Sequence, residues 1–363
     1  MPDDLELTVE LSSEPTPEAR RAELLADPGF GRVFTDHMAT AEWSAGRGWH
    51  SARIEPYGQL AFDPATSFLH YGQAIFEGFK AYRRVDGSIA SFRPDANARR
   101  FARSAARLGL PELPPASFVE ICDALIRTEA SWVSGAEERS LYLRPVMLGT
   151  EVGLGVRPSS EALFVVIASP AGAYFAQGLK PVSIWLSEEY VRAAPGGTGA
   201  AKFAGNYAAS LIAQREAIEN GCDQVAFVDA VERRWVEELG GMNLFFVLDD
   251  GSLVTPELTG TILEGITRDA ILTLAGELGH KVEERRFDIA EWREGVVSGR
   301  VAEVFACGTA AVVTPVGRLK WRGGEVVTGG GGIGPVAQSI RTALIDVQVG
   351  RAEDTHGWIH PIC

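Results

Sequence analysis

Five lysines occur in the 363 residues, Lys80, Lys180, Lys202, Lys281 and Lys320, and arginine supplies the other basic side chains. An amine acts as a nucleophile only when unprotonated, so a reactive lysine needs surroundings that desolvate it. Lys281 and Lys320 lie among charged or glycine-rich turns and read as solvated. Lys180 falls between two strand-like stretches. Lys80 and Lys202 have apolar or small neighbours. Lys202 stands in GGTGAAKFAGNY, ahead of a helix-forming run, where small residues let a ligand approach the backbone. Taken alone, that setting fits a surface lysine in a flexible glycine loop better than an activated amine.

A lysine of this kind can carry pyridoxal 5'-phosphate if other groups accompany it. The pyridine nitrogen needs a carboxylate, the ring hydroxyl a partner, and the phosphate several donors. The segment VEELGGMNLFFV offers Glu237 and Glu238, either of which can point inward from a strand. Arg100 lies in a helix-like run with Arg93, Arg99, Arg103 and Arg107 close by, most of which must be solvated. GITRDAI places a turn before a helix start, where unsatisfied backbone N–H groups favour an anion. CGTAA adds a hydroxyl and small residues in a turn.

Other chemistries are poorly served. GGGGIG at Gly329–Gly334 formally matches a dinucleotide-binding fingerprint, but too little chain follows it for a helix, a second strand and a ribose-binding acid. The six histidines show no metal-binding spacing, so no metal site is expected. No serine-hydrolase elbow is present.

Both halves must supply elements that position these groups. Residues 1–29 read as a polar extension with a short helix near Pro17–Ala26. Strand-like signals run from Phe30 to Tyr82. Helices are expected from about Asp95 to Leu108 and over SFVEICDALIRTEASWV, followed by strands LYLRPVML and ALFVVIAS. Residues 172–181 read as an interdomain linker. Beyond it, PVSIWLSEEYVR reads as a strand and NYAASLIAQREAIENGC as a helix. Further strands fall at QVAFVDA, NLFFVL, SLVT and VAEVFACGTAAVVTPV, and helices at TRDAILTLAGELG and Pro335–Val349. Without steady βαβ alternation, the expectation is two α+β domains, residues 30–171 and 182–363.

Composition sets outer bounds. Apolar residues make up 46% and charged residues 23%, as in ordinary globular enzymes, and the formal net charge of −14 disfavours nucleic acid or an anionic membrane as partner. No apolar run reaches a membrane-spanning length. The polar, acidic N-terminus carries no targeting pattern, and the scattered Cys122, Cys222, Cys307 and Cys363 read as reduced thiols, so a cytoplasmic location is expected.

Eight blocks, in order, resemble the branched-chain amino acid aminotransferases of pyridoxal-phosphate fold type IV. They are FGRVFTDHM, FLHYGQAIFEGFKAYR, FRPDANARRFARSAARLGLP, LYLRPVMLGTEVGLGV, KFAGNY, EELGGMN, ILEGITRDAI and CGTAAVVTPV. The resemblance implies a D-amino acid aminotransferase-like fold with a smaller N-terminal and a larger C-terminal domain. It implies transamination between L-leucine, L-isoleucine or L-valine and 2-oxoglutarate. Lys202 matches the Schiff-base lysine, Tyr207 the partner of the ring hydroxyl, Glu238 the carboxylate at the pyridine nitrogen and Arg100 the phosphate arginine. Ile266, Thr267 and Thr309 match further phosphate contacts. Phe30, Tyr71, Phe76, Tyr142, Arg144, Val156, Gly241 and Ala310 fall on substrate positions. Family dimers share sites, so a homodimer is implied in which Tyr71 and Val156 serve the partner's pocket. Related fold type IV enzymes, a D-amino acid aminotransferase or an aminodeoxychorismate lyase, are the alternatives.

Three departures from relatives stand out. Gly241 replaces a threonine found in some, Ala311 and Thr314 occupy the places of a CxxC pair, and Glu264 replaces a proline, bringing a charge toward the expected phosphate loop unless it points away.

Overall fold

The computed structural model describes residues 5–172 and 180–363, so most of the expected linker lies outside the described residues. Contacts divide the chain into two compact units. The first is Met1–Ala176 with Ala201–Ala204 and Val347–Cys363; the second is Gln177–Ala200 with Gly205–Asp346. Two stretches expected in the second domain, the Lys202 segment and the C-terminus, thus fall in the first unit.

The first unit is built on strands β1 (Leu7–Val9), β2 (His37–Ser44), β3 (Gly48–Pro56), β4 (Ala74–Phe76), β5 (Phe79–Arg83), β6 (Ile89–Phe92), β7 (Ser140–Gly149) and β8 (Glu161–Ala171). Their order is β1-β3-β2-β8-β7-β5-β6, with β4 beside β7. The C-terminal strand Ile359–Pro361 closes the edge at β6, with Ile359 opposite Phe92. The polar extension is tied down: β1 runs parallel to β3, and α1 (Glu18–Ala26) follows it. A five-residue helix, α2 (Ser67–Tyr71), precedes β4.

Two longer helices cover the sheet. α3 (Pro94–Leu108) and α4 (Pro115–Thr128) each start with proline, whose missing N–H costs nothing in a first turn. α3 ends at Gly109, φ 65°, a left-handed cap natural to glycine. The helix expected to run through Val133 stops at Thr128 and gives way to a tight turn at Ala130–Trp132. The rings of Phe101, Phe118 and Phe164 meet at 5.2–5.7 Å between centroids and join helices to sheet.

The second unit contains β9 (Val182–Leu186), β10 (Gln224–Val228), β11 (Val236–Leu239), β12 (Asn243–Leu248), β13 (Leu253–Thr255), β14 (Val282–Glu284), β15 (Val301–Gly308), β16 (Val312–Trp321) and β17 (Gly324–Val327). The order is β11-β10-β9-β16-β15-β12-β13-β14, and β17 pairs with β16. Parallel and antiparallel neighbours mix, as in α+β architecture. The strand expected to reach Arg192 ends at Leu186. Ser187 then takes the Tyr190 N–H and donates to the Tyr190 carbonyl, which turns the chain away.

Helices α5 (Ala204–Glu219), α6 (Ile266–Glu277), α7 (Ile289–Ser298) and α8 (Pro335–Val349) complete the chain. α7 was not anticipated, although Asp288 caps the Ala290 N–H at 2.8 Å and Gly299 ends the helix at φ 81°. Phe245 stacks on Phe305 at 5.1 Å and Phe246 on Phe287 at 3.8 Å, packing the two opposite faces of β12.

Candidate active site

Lys202 belongs by contacts to the first unit, one residue before Phe203 bridges antiparallel to Ile75. Its N–H donates to Ser104 Oγ on α3 at 3.0 Å, and its carbonyl accepts from the Phe76 N–H at 3.0 Å. The backbone is therefore pinned, while Nζ lies 4.5 Å from the centre of the Phe76 ring and the side chain is half-buried. Lys80, the other lysine with apolar neighbours, is buried on β5. Lys320, expected to be solvated, donates to the Asn220 carbonyl at 2.9 Å.

Beside Lys202 sits a charged pair. Arg100 donates through Nε to Glu77 Oε1 at 2.7 Å and through Nη2 to Oε2 at 2.9 Å, while Asn97 Nδ2 reaches Oε2 at 2.7 Å. Burial alone would raise the Glu77 carboxyl. The Arg100 charge and hydrogen bonds, aided by the Lys202 charge and Asn97, outweigh it and hold the carboxyl below its ordinary range. The sequence reading singled out Arg100 without Glu77, although Glu77 stands in one of the quoted blocks.

Four expected substrate residues converge in the same unit. Phe30 and Tyr142 meet edge to face at 5.0 Å. Arg144 Nη2 donates to Tyr142 Oη at 3.1 Å, and its guanidinium lies 4.9 Å from the Phe76 ring centre. The two-residue spacing on β7 puts Tyr142 and Arg144 on one face. Arg144 Nε is buried with no hydrogen-bond partner among the described residues. Gly78 lies under the Tyr142 hydroxyl: a Cβ there would come within 1.9 Å of Oη. Tyr71 instead donates to the Leu154 carbonyl at 2.5 Å, on the loop whose Val156 is 82% exposed.

The second unit gathers the remaining groups. Glu238 on β11 is buried. Its Oε1 accepts from Arg192 Nη1 at 2.9 Å and from the Leu263 N–H at 2.7 Å, and Oε2 faces Asn243 Nδ2 at 3.4 Å. Neighbouring Glu237 accepts from Thr261 Oγ1, while its Oε2 has no hydrogen-bond partner among the described residues. Burial raises the Glu237 carboxyl against the opposing Thr261 bond and Arg192 charge. The two carboxylates thus sit in different settings, and both are buried.

Tyr207 lies in the first turn of α5, and a Cβ at Gly241 would stand 3.6 Å from its ring. The glycine loop is not slack: Thr198 Oγ1 donates to Asn206 Oδ1 at 2.6 Å, and Asn206 Nδ2 returns a bond to the Thr198 carbonyl at 2.8 Å. Ile266 and Thr267 open α6 behind Gly265, which supplies no capping side chain. A Cβ at Gly265 would fall 2.0 Å from Asn243 Oδ1, so glycine is required for that close approach. Glu264 is exposed. Thr309 and Ala310 are half-buried in the turn between β15 and β16. Sequence reasoning missed Arg192, Asn97, Ser104 and Asn243, each of which has a partner 20 or more residues away.

Comparisons with known proteins follow the same lines. The family described as amino-transferase class IV matches residues 74–319. A probable branched-chain-amino-acid aminotransferase of Streptomyces coelicolor is 58% identical over 359 residues, covering 98% of this chain and 99% of that protein. The crystal structure of the Escherichia coli branched-chain amino acid aminotransferase is similar, with TM-score 0.75 and 32% identity over 90% of this chain and all of that one. That of Thermobaculum terrenum, in its PLP-form, has TM-score 0.72 and 25% identity, covering 90% of this chain and 98% of that one.

Proposed function

Since the chain belongs to the class IV aminotransferases, and among them to the branched-chain-amino-acid aminotransferase family, we propose that it transfers amino groups between L-leucine, L-isoleucine or L-valine and 2-oxoglutarate with pyridoxal 5'-phosphate. The observation that carries the cofactor assignment is Lys202. Its backbone is anchored by Ser104 and Phe76, which leaves only the side chain to move, and its amine stands at an aromatic face. The remaining donors suit the same cofactor. Glu238 is a buried, oriented carboxylate for a pyridine nitrogen, and α6 begins at a glycine without a capping side chain, suited to a phosphate.

When bound, the cofactor supplies an electron sink for the negative charge that develops at the substrate Cα. Lys202 would hold the cofactor in the resting enzyme, and its freed amine would move the proton at the substrate Cα. Glu238 keeps the proton on the pyridine nitrogen, and Tyr207 bonds the ring hydroxyl. Arg100, Ile266, Thr267 and Thr309 hold the phosphate. Phe30, Phe76, Tyr142, Gly241 and Ala310 line the substrate space. Arg144, whose guanidinium lies beside Tyr142 Oη and the Phe76 ring, receives the side-chain carboxylate of glutamate. Tyr71 and Val156, both exposed, serve the pocket of a second copy in a cytoplasmic homodimer.

Two measurements test this. Borohydride reduction and peptide mapping should place the cofactor on Lys202; recovery on Lys80 would move the site. A steady-state assay of L- and D-amino acids with 2-oxoglutarate should show turnover of the L-branched-chain substrates. Turnover of D-substrates alone would favour the D-amino acid alternative.

A further inference from the structure

Arg192 is almost wholly buried, and its guanidinium has a short list of partners. Nη1 lies 2.9 Å from Glu238 Oε1, 2.9 Å from the Thr261 carbonyl and 3.3 Å from the Gly199 carbonyl. Nε has no hydrogen-bond partner among the described residues. A buried cation of this kind is costly unless a counter-charge answers it, and Glu238 is the carboxylate at its Nη1. The surroundings leave no slack. A Cβ at Gly199 would meet the Thr261 carbonyl at 2.3 Å, so the backbone bearing two of the three acceptors is closely packed.

The consequence falls on Glu238. With Arg192 and the Leu263 N–H both on Oε1, rotation of the carboxylate would break two hydrogen bonds to one oxygen. A guanidinium at this distance also favours the charged form of a carboxylate over the neutral acid. In a buried site a lone glutamate would tend to take the proton itself, because burial disfavours its charge.

We propose that Arg192 is a positioning residue for the reaction, holding Glu238 charged and in one orientation so that the shared proton resides on the pyridine nitrogen and not on the glutamate. The inference rests on the proposed function, because it requires the cofactor to meet Glu238. It adds a residue with no expected contact to cofactor or substrate. Arg192 acts on the reaction through Glu238, by charge and by direction.

The test uses holoenzyme loaded with pyridoxal phosphate carrying nitrogen-15 in the ring, and reads ring-nitrogen protonation by solid-state nuclear magnetic resonance. Wild type and Arg192→Lys, which keep a cation, should show the protonated shift. Arg192→Gln, which keeps hydrogen-bonding capacity without charge, should move toward the unprotonated shift, as should Glu238→Gln. The kcat of Arg192→Gln should fall on the order of tenfold to a hundredfold, the range for one charge-assisted hydrogen bond, with KM for leucine little changed. A protonated shift in Arg192→Gln equal to wild type, with cofactor bound, would overturn the inference. So would equal shifts and rates in Arg192→Lys and Arg192→Gln, which would mark Arg192 as structural. Should Arg192→Gln fail to fold, an unprotonated shift in Arg192→Lys would overturn the inference by itself. Wild type that binds no cofactor would instead overturn the functional reading from which the inference starts.

Discussion

Each unit buries one arginine–glutamate pair among the proposed cofactor groups, and the two pairs are built in opposite senses. In the first unit Arg100 grips Glu77 with two nitrogens, and Asn97 adds a third donor to the carboxylate. In the second, Arg192 gives Glu238 one nitrogen and shares it with two carbonyls. In the first pair the cation is the group expected to meet the cofactor, at its phosphate, and the glutamate orients it. In the second the carboxylate is the group expected to meet the cofactor, at its ring nitrogen, and the arginine orients it. The same two side chains thus orient groups of opposite charge.

The strongest way to break this comparison is to remove an orienting partner. Glu77→Gln leaves Arg100 buried without its counter-charge and should cost about 3–5 kcal/mol of stability, read from urea unfolding. A cost below about 1 kcal/mol would make the pair no better than a surface bridge. The pH dependence has a definite sign. The folded carboxyl is held below its ordinary 4.5, so its contribution is fully present above that value. It is lost as the pH falls through the lower folded value, and Glu77→Gln should flatten that acid limb.

A cation lacking such a partner behaves differently. Arg144 has no carboxylate partner among the described residues and donates to Tyr142 Oη, and its proposed ionic partner is the substrate. Arg144→Ala should lower kcat/KM for glutamate about a hundredfold, on the basis of about 3 kcal/mol for the lost charged bonds. Single-turnover kinetics with leucine should change much less. Equal losses for both amino acids would mean that Arg144 supports the fold or a site shared by both substrates.

The second pair is sharpened by its neighbour. Glu238→Gln should retain cofactor and lose about tenfold to a hundredfold in turnover, whereas Glu237→Gln, at a carboxylate that accepts from Thr261, should change little. The reverse ranking would mean that the wrong carboxylate had been assigned.

The smallest effect is expected from thiols. Cys307 is buried and pushed up to about 12, Cys122 and Cys222 are also raised by burial, and Ala311 and Thr314 carry no sulfur. A thiolate is the reactive form, so mild oxidation should leave activity unchanged within error. Reversible inactivation through a disulfide would contradict this.

Much of the fold was legible because its signals are local. Proline at the starts of α3 and α4 and glycine after α3 mark helix ends through backbone conformation alone. The strand that ends at Leu186 is overextended in the sequence reading because Tyr190 and Val191 resume strand-like composition after Ser187, Glu188 and Glu189, while the Ser187 side chain turns the backbone. α7 was legible in principle, in Asp288, Glu291 and Gly299, and went unread. The C-terminal strand was not, since nothing in IHP shows that β6 leaves an edge for it.

The same division runs through the candidate site. By itself, the sequence determined which side chains were available: a rare lysine among small residues, two adjacent glutamates entering a strand, an arginine and an aromatic two residues apart, and ordered blocks resembling one family. Those features depend on residue type and short spacing, to which strand alternation and helix capping respond directly. Only the tertiary structure decided how they are held: Lys202 on Ser104 and Phe76, Arg100 on Glu77, and Glu238 on Arg192 and Leu263. Buried charges must find partners wherever the fold brings them. Arg100 and Glu77 are 23 residues apart, and Glu238 and Leu263 are 25. No periodicity spans such gaps, because the requirement being met is electrostatic and acts through space, not along the chain.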